Sequence, residues 1–359
     1  WFGDGEVDLT LASGSPKPKD WRDASEFAIR LLQHFDQGNV TVEGLTVSID
    51  GRAKDHEALH TLDVVFGAGF PDNLTRGTGN IIAPLVSPYE FALSKSENNT
   101  LLASGNVTSK QLATELSGQG FAADTLKVSS GEPEGFSDAV KMLGNILMEL
   151  KTGQVELSDK AVSIDGVAQT FADFDKANAL PGKLKAFKVA VQLERPTIKP
   201  FTLKFELADN QLVIAGYVPT EQEAEKIKTL AERVDAESVR VANGAPDHFG
   251  AAIDVVAIAL SHLRNGASAE IEDDKIVVQG QAISPQDFLA LQEEFGQNIP
   301  DGYDLAVSNI QLPTVSPYKW SLQKEGEGRV RLAGYSPSQE LTSEIIEAIA
   351  APEIVNELL

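Results

Sequence analysis

The chain has 359 residues, 42% hydrophobic and 23% charged, with 30 Lys and Arg against 53 Asp and Glu, a formal charge of −23. This is globular composition on a length that calls for several domains rather than one core. The acidity argues against nucleic acid and against passive adhesion to anionic membranes, and the lack of cysteine excludes disulfides, thiolate metal sites and cysteine nucleophiles.

At the start, Val7-Asp8-Leu9-Thr10-Leu11 alternates as a strand does, and 1–19 is read as the end of a truncated half-unit. Trp1-Phe2-Gly3-Asp4 does not begin a signal peptide. No apolar run reaches a membrane-spanning length, so no spanning helix is expected.

Helical runs begin at Trp21, Phe136 and Phe249. Counted from each start, apolar residues recur at offsets 3, 7, 10, 11 and 14: Ala24, Ala28, Leu31, Leu32 and Phe35; Ala139, Leu143, Ile146, Leu147 and Leu150; Ala252, Val256, Ala259, Leu260 and Leu263. One stripe on an amphipathic helix has this spacing. Gly38, Gly153 and Gly266 follow at offset 17, where a left-handed cap is expected to stop each helix. Two alternating strands come next, the second ending at Gly51, Gly166 or Gly280, which stand about 115 and 114 residues apart. A short helix follows, with Ser284 as cap and Pro285 at its first position in the third copy. A closing strand ends the unit at Gly77–Ile82, Phe187–Leu193 or Leu305–Ile310.

The connections carry a Pro-x-x-x-Pro spacing: Pro84 and Pro88, Pro196 and Pro200, Pro313 and Pro317. Behind each lies a half-unit without a leading helix. It opens Ser87-Pro88-Tyr89-Glu90-Phe91, Lys199-Pro200-Phe201-Thr202-Leu203 or Ser316-Pro317-Tyr318-Lys319-Trp320. Its second strand reaches Gly105, Gly216 or Gly334, and a capped helix follows, with Thr220 and Glu223 at capping-box spacing. A strand closes it, at Thr125–Ser129 and Ser238–Ala242; Glu340–Leu359 matches the helix with its closing strand missing or marginal.

The sequence thus predicts an α+β class built as tandem repeats: 1–19 a truncated half; 20–85, 135–198 and 248–314 modules of helix, strand, strand, helix, strand; 86–134, 199–247 and 315–359 halves of strand, strand, helix, strand. The chain is expected to be a segment of a longer array, with anchors or targeting segments outside it.

The element order and the hydrophobic-x-hydrophobic-x-Gly ending resemble the BON (bacterial OsmY and nodulation) domain. The resemblance covers 20–83, 135–195 and 248–312, and in part the intervening halves, which lack the first helix. Strings of such units with a Ser-Pro-Tyr opening look like the region preceding a peptidoglycan-binding OmpA-like domain in alphaproteobacterial envelope proteins. The resemblance implies a periplasmic or membrane-tethered, non-enzymatic scaffold without cofactors. The partners it implies are other envelope proteins, further repeats of the same chain, or phospholipid. It carries over no catalytic residues.

One motif points elsewhere. His56-Glu57-Ala58-Leu59-His60 is H-E-x-x-H, two histidines a helical turn apart beside a glutamate, as in zinc hydrolases. Its repeat equivalents are Phe171 and Asp175, and Pro285 and Leu289. Leu59, Leu62 and Phe66 are expected to face inward, leaving the histidines on the flank, and the expected reading is a solvated helix face without metal. His34, His248 and His262 have no ligand spacing. Asp273-Asp274 and Asp173-x-Asp175 lack the ligand series of a calcium loop. Trp21 aligns with Phe136 and Phe249, and Trp320 with Phe91 and Leu203, so both tryptophans are expected in cores.

Overall fold

The structure is a computed structural model that describes residues 19–325, 328–349 and 353–358. The strand expected at Val7–Leu11 lies outside them. The chain divides into two compact units, 1–194 and 195–359.

The first unit opens with α1 (Trp21–Leu32), β1 (Phe35–Glu43), β2 (Thr46–Ala53), α2 (His56–Phe66) and β3 (Thr75–Ile82). These strands form a three-stranded sheet ordered β1-β2-β3. Next come β4 (Glu90–Lys95), β5 (Leu101–Val107), α3 (Lys110–Gly118) and β6 (Lys127–Val128). They are followed by α4 (Phe136–Glu149), β7 (Thr152–Ser158), β8 (Ala161–Val167), α5 (Phe171–Asn178), α6 (Leu180–Lys183) and β9 (Lys188–Glu194). These last two groups share one six-stranded sheet, ordered β6-β5-β4-β7-β8-β9.

The second unit runs β10 (Thr202–Ala208), β11 (Gln211–Val218), α7 (Glu221–Ile227) and β12 (Val234–Val241). It continues with α8 (Phe249–Ser261), β13 (Ser268–Glu272), β14 (Lys275–Gln281), α9 (Pro285–Gln297) and β15 (Asp304–Gln311). Its six-stranded sheet is ordered β12-β11-β10-β13-β14-β15. The unit ends with β16 (Trp320–Lys324), β17 (Arg329–Gly334), α10 (Gln339–Ile349) and β18 (Glu353–Leu358), whose strands form a sheet ordered β16-β17-β18. The fold is α+β.

Chain connectivity explains the pairing. Hairpins make β4–β5 and β7–β8 antiparallel, whereas the helix crossovers make β5–β6 and β8–β9 parallel. Burial alternates along β7 and β8, so one sheet face is covered and the other is wet. The covered face holds one core with contributions from both sides of residue 134: Tyr89, Phe91 and Leu112 with Phe136, Leu147 and Ile164. β4 pairs antiparallel with β7, Phe91 opposite Leu157 and Leu93 opposite Val155. β10 and β13 pair in the same way, Leu203 opposite Ile271. The segments 86–134 and 135–194 are therefore distinct in sequence but continuous in structure.

Several expectations need correction. Gly38 and Gly153 do not cap helices; they lie in β1 and β7, opposite Gly51 and Gly166. A Cβ on Gly166 would sit 2.7 Å from the Gly153 Cα, so these pairs let two backbones close up. Gly266 does take a left-handed turn, with φ of 94°, but beyond the end of α8. Phe35 and Leu263 at offset 14 are buried but outside their helices, which end sooner. Thr220 accepts the Glu223 N–H, whereas the reciprocated capping box is Thr170 with Asp173. The closing strand after α10 is present as β18, parallel to β17. Trp21 and Trp320 are not core residues but 43% and 52% exposed. Trp21 belongs to a module and Trp320 to a half-unit, each with a sheet of three strands among the described residues, whereas Phe136 packs against Tyr89 and Phe91 of the joined half-unit.

Each of the three proline openings contains a cis peptide: Ser87-Pro88, Lys199-Pro200 and Ser316-Pro317. The segment before the first two runs beside its half's last strand, with bridges Leu85–Ser130 and Thr197–Asn243.

Candidate functional site

The H-E-x-x-H segment forms the first turns of α2, as its spacing demands. Asp55 caps the helix, its carboxylate accepting the Ala58 N–H at 2.7 Å. Ala58, Leu62 and Phe66 are buried and Leu59 packs at the margin of the same core. His60 and Glu57 point to solvent, and His56 is half-buried.

His56 has a partner that the sequence does not reveal. Its Nε2 lies 2.8 Å from the Ser129 hydroxyl, and that hydroxyl donates to Asn106 Oδ1 at 2.8 Å. The serine has one proton and gives it to Asn106, so His56 donates from a protonated Nε2. Asn106 donates in turn to the Glu90 carbonyl, and the Tyr89 hydroxyl to the Ser129 carbonyl. Ser129 is buried. Burial and the nearby Lys127 hold the His56 pKa below its usual value despite Asp55, which keeps the ring neutral. Burial also raises the Tyr89 hydroxyl pKa.

This chain of hydrogen bonds ties α2 to the last strand of the next half-unit, with Lys110–Asp63 bridging α3 and α2 at the surface. It neither activates a nucleophile nor presents Nε2 to a metal. Among the described residues no group of three His, Cys, Asp or Glu side chains stands in metal-binding geometry.

The other polar constellation is in the second unit. His262 Nδ1 lies 2.8 Å from Asp287 Oδ1, and the Ser284 hydroxyl donates to the other carboxylate oxygen. These bonds, that of His262 foremost, hold the Asp287 carboxyl below the usual range. Here the carboxylate lies between serine and histidine, so the imidazole does not contact the serine and the order is not that of a Ser-His-Asp triad. Ser284 instead caps α9, as expected, accepting the Asp287 N–H.

The remaining acidic spots are also structural. Asp273 accepts the Phe201 N–H at 2.8 Å, and Asp159 in the equivalent hairpin accepts that of Tyr89 at 2.8 Å. Asp173 is taken up by its capping box. Of the glycines, Gly105, Gly216 and Gly334 have φ between 98° and 127°, a region L residues avoid. A Cβ on Gly105 would press to 2.5 Å of the Glu90 carbonyl oxygen. Gly51 and Gly280 close their hairpins against Gly38 and Ala267.

One open groove stands out in the second unit. It measures about 610 Å³ and lies between α9, the proline connection and the β16–β18 sheet, lined by Phe288, Leu289, Leu312, Val315, Tyr318 and Leu358. Pro285 begins α9 as His56 begins α2. Among the described residues no helix is long and apolar enough to cross a membrane. Comparison with protein-family models, curated proteins and solved structures returned no match.

Proposed function

We propose that the chain is a non-enzymatic scaffold: a tandem array of BON-like modules in a bacterial envelope. It would act as periplasmic spacer and interaction surface upstream of a peptidoglycan-binding OmpA-like domain. The observation that carries the reading is the identical strand order of the two six-stranded sheets, each a half-unit joined to a module through one antiparallel ladder. Arrays in which each element leans on its neighbour suit length and surface rather than a catalytic cleft. The polar clusters support it too, because each is spent on caps, hairpins or junctions. The partners in this reading are envelope proteins and further modules of the same kind, without cofactor, catalytic residue or nucleic acid.

Fractionation of the native host tests it. The chain is expected with the periplasm or the membrane-tethered envelope, sedimenting with peptidoglycan sacculi. Recovery in the cytoplasm would overturn the reading.

A second reading, a module that binds phospholipid or another apolar ligand, is favoured by the groove around Phe288 and Tyr318. The charge of −23 opposes it for anionic vesicles. Flotation with neutral and anionic vesicles separates the two: no lipid-bound fraction is expected, and micromolar binding lost in Leu289→Asp would install the second reading.

A further inference from the structure

The same turn leads into the closing strand of both six-stranded sheets. Before β9, the Phe187 N–H donates to the Leu184 carbonyl and the Lys188 N–H to that of Lys160. Before β15, the Tyr303 N–H donates to the Pro300 carbonyl and the Asp304 N–H to that of Asp274. Phe187 and Tyr303 are therefore equivalent. In the first unit the ring ends against the start of α4, where a Cβ on Gly135 would lie 3.8 Å from Phe187 Cε2. His248 precedes α8 as Gly135 precedes α4, in the same left-handed conformation. The hydroxyl that Tyr303 adds to the ring thus extends toward Asp247 and His248.

Charge and hydroxyl change together at this corner. In the first unit the turn bears exposed Lys160, Lys185 and Lys188 around a phenylalanine; in the second it bears exposed Asp274, Asp301 and Asp304 around a tyrosine. Burying a hydroxyl is costly unless it is hydrogen-bonded. Tyr303 is 7% exposed, and its oxygen is enclosed without a hydrogen-bond partner among the described residues. Burial and the carboxylates of Asp274 and Asp247 raise its pKa to about 12, so the group is a neutral hydroxyl. Neither of those two side chains is engaged in a hydrogen bond or ion pair among the described residues, whereas Asp304 has Lys275 opposite it in the ladder. Two uncompensated carboxylates and an unpaired buried hydroxyl at one corner match a cation and its water.

We propose that this corner binds one calcium ion, with Asp247 and Asp274 as its protein ligands and the Tyr303 hydroxyl accepting a hydrogen bond from a water on the ion. Calcium takes oxygen ligands and tolerates irregular shells completed by water. No group of three carboxylates converges among the described residues, so the ion keeps most of its waters and binds weakly, with a Kd of about 10⁻⁴–10⁻³ M. It ties the start of α8 to the hairpin between β13 and β14. The inference is independent of the scaffold reading.

Calcium titration of the whole chain tests it, read by calorimetric melting and by hydrogen exchange. Sodium chloride at matched ionic strength controls for screening of the −23 charge. Calcium is expected to raise the melting temperature beyond the sodium control and to protect peptides covering 246–252 and 299–305. Asp247→Asn and Asp274→Asn are each expected to remove that extra shift. Glu206→Gln, opposite Ser268 at the other end of the β10–β13 ladder, is expected to leave it intact. Tyr303→Phe copies Phe187 and deletes an unpaired buried group, so the calcium-free melting temperature is expected to hold or rise, while calcium affinity falls about tenfold. A tyrosine with a purely structural role would not move the titration. A shift no larger than that of sodium, or one that survives in Asp274→Asn, overturns the proposal and leaves the hydroxyl holding water alone.

Discussion

Phe136→Ala is the sharpest probe of the shared core. The ring belongs to α4, yet its aromatic neighbours Tyr89 and Phe91 belong to the preceding half-unit. It is 1% exposed. Truncating a buried phenylalanine costs about 3–5 kcal/mol, within which each edge-on aromatic pair contributes roughly 0.5–1.5 kcal/mol. Two such pairs place this site toward the upper end, a loss of about 4–5 kcal/mol, a large fraction of the stability of an ordinary domain. Trp21→Ala removes a larger ring at the equivalent position of α1, but one 43% exposed; its cost is about 1 kcal/mol. Urea denaturation of dilute protein gives both numbers, and native-state hydrogen exchange shows where the loss falls. In Phe136→Ala, peptides covering 90–107 and 152–167 are expected to lose protection together. Loss confined to 152–167, or equal costs for the two variants, would refute the shared core.

Asp159→Gly keeps the left-handed hairpin residue, φ 48°, while deleting the carboxylate that accepts the Tyr89 N–H; urea denaturation is expected to show a loss of about 1–2 kcal/mol. His56 supplies a pH dependence. Its folded pKa lies below the ordinary value of 6.5, so the unfolded chain binds more protons and stability falls as pH drops below about 6.5 toward the folded pKa. Melting temperatures across that window should show the fall, and His56→Asn should flatten it. The purified protein is expected to contain no stoichiometric zinc by elemental analysis, and Glu57→Gln to leave its melting temperature unchanged; about one zinc per chain, lost in His60→Ala, would reverse the assignment.

Local periodicity was the legible part of this fold. The stripes at Phe136 and Phe249 mark α4 and α8 to within two residues at their ends, and Ser284-Pro285 marks the start of α9. Contacts between distant segments were not legible. Nothing local in Glu90–Lys95 shows that it pairs with Thr152–Ser158, so half-units and modules read as separate beads although they share a sheet. Gly38 and Gly153 follow helices at cap-like spacing, but a strand crossing needs glycine as much as a cap does, and only the ladder distinguishes the two uses. His56 shows the same limit at the candidate site. Its partner Ser129 is 73 residues away, and the one local signal was that its repeat equivalents, Phe171 and Pro285, cannot make that bond. The tryptophans were expected in cores and are 43% and 52% exposed, because a position in a sequence pattern fixes which face a residue occupies and not how deeply it is buried.

The central claim is that a half-unit and the module after it fold as one piece, and expressing 86–134 and 86–194 as separate polypeptides tests it most directly. In 86–134 alone, Tyr89, Phe91 and Leu93 lose Phe136, Val155 and Leu157, leaving a core too small to offset chain entropy. Circular dichroism melts are expected to show no cooperative transition for 86–134 and a single one for 86–194. A sharp transition in 86–134 by itself, or two separate transitions in 86–194, would contradict the account.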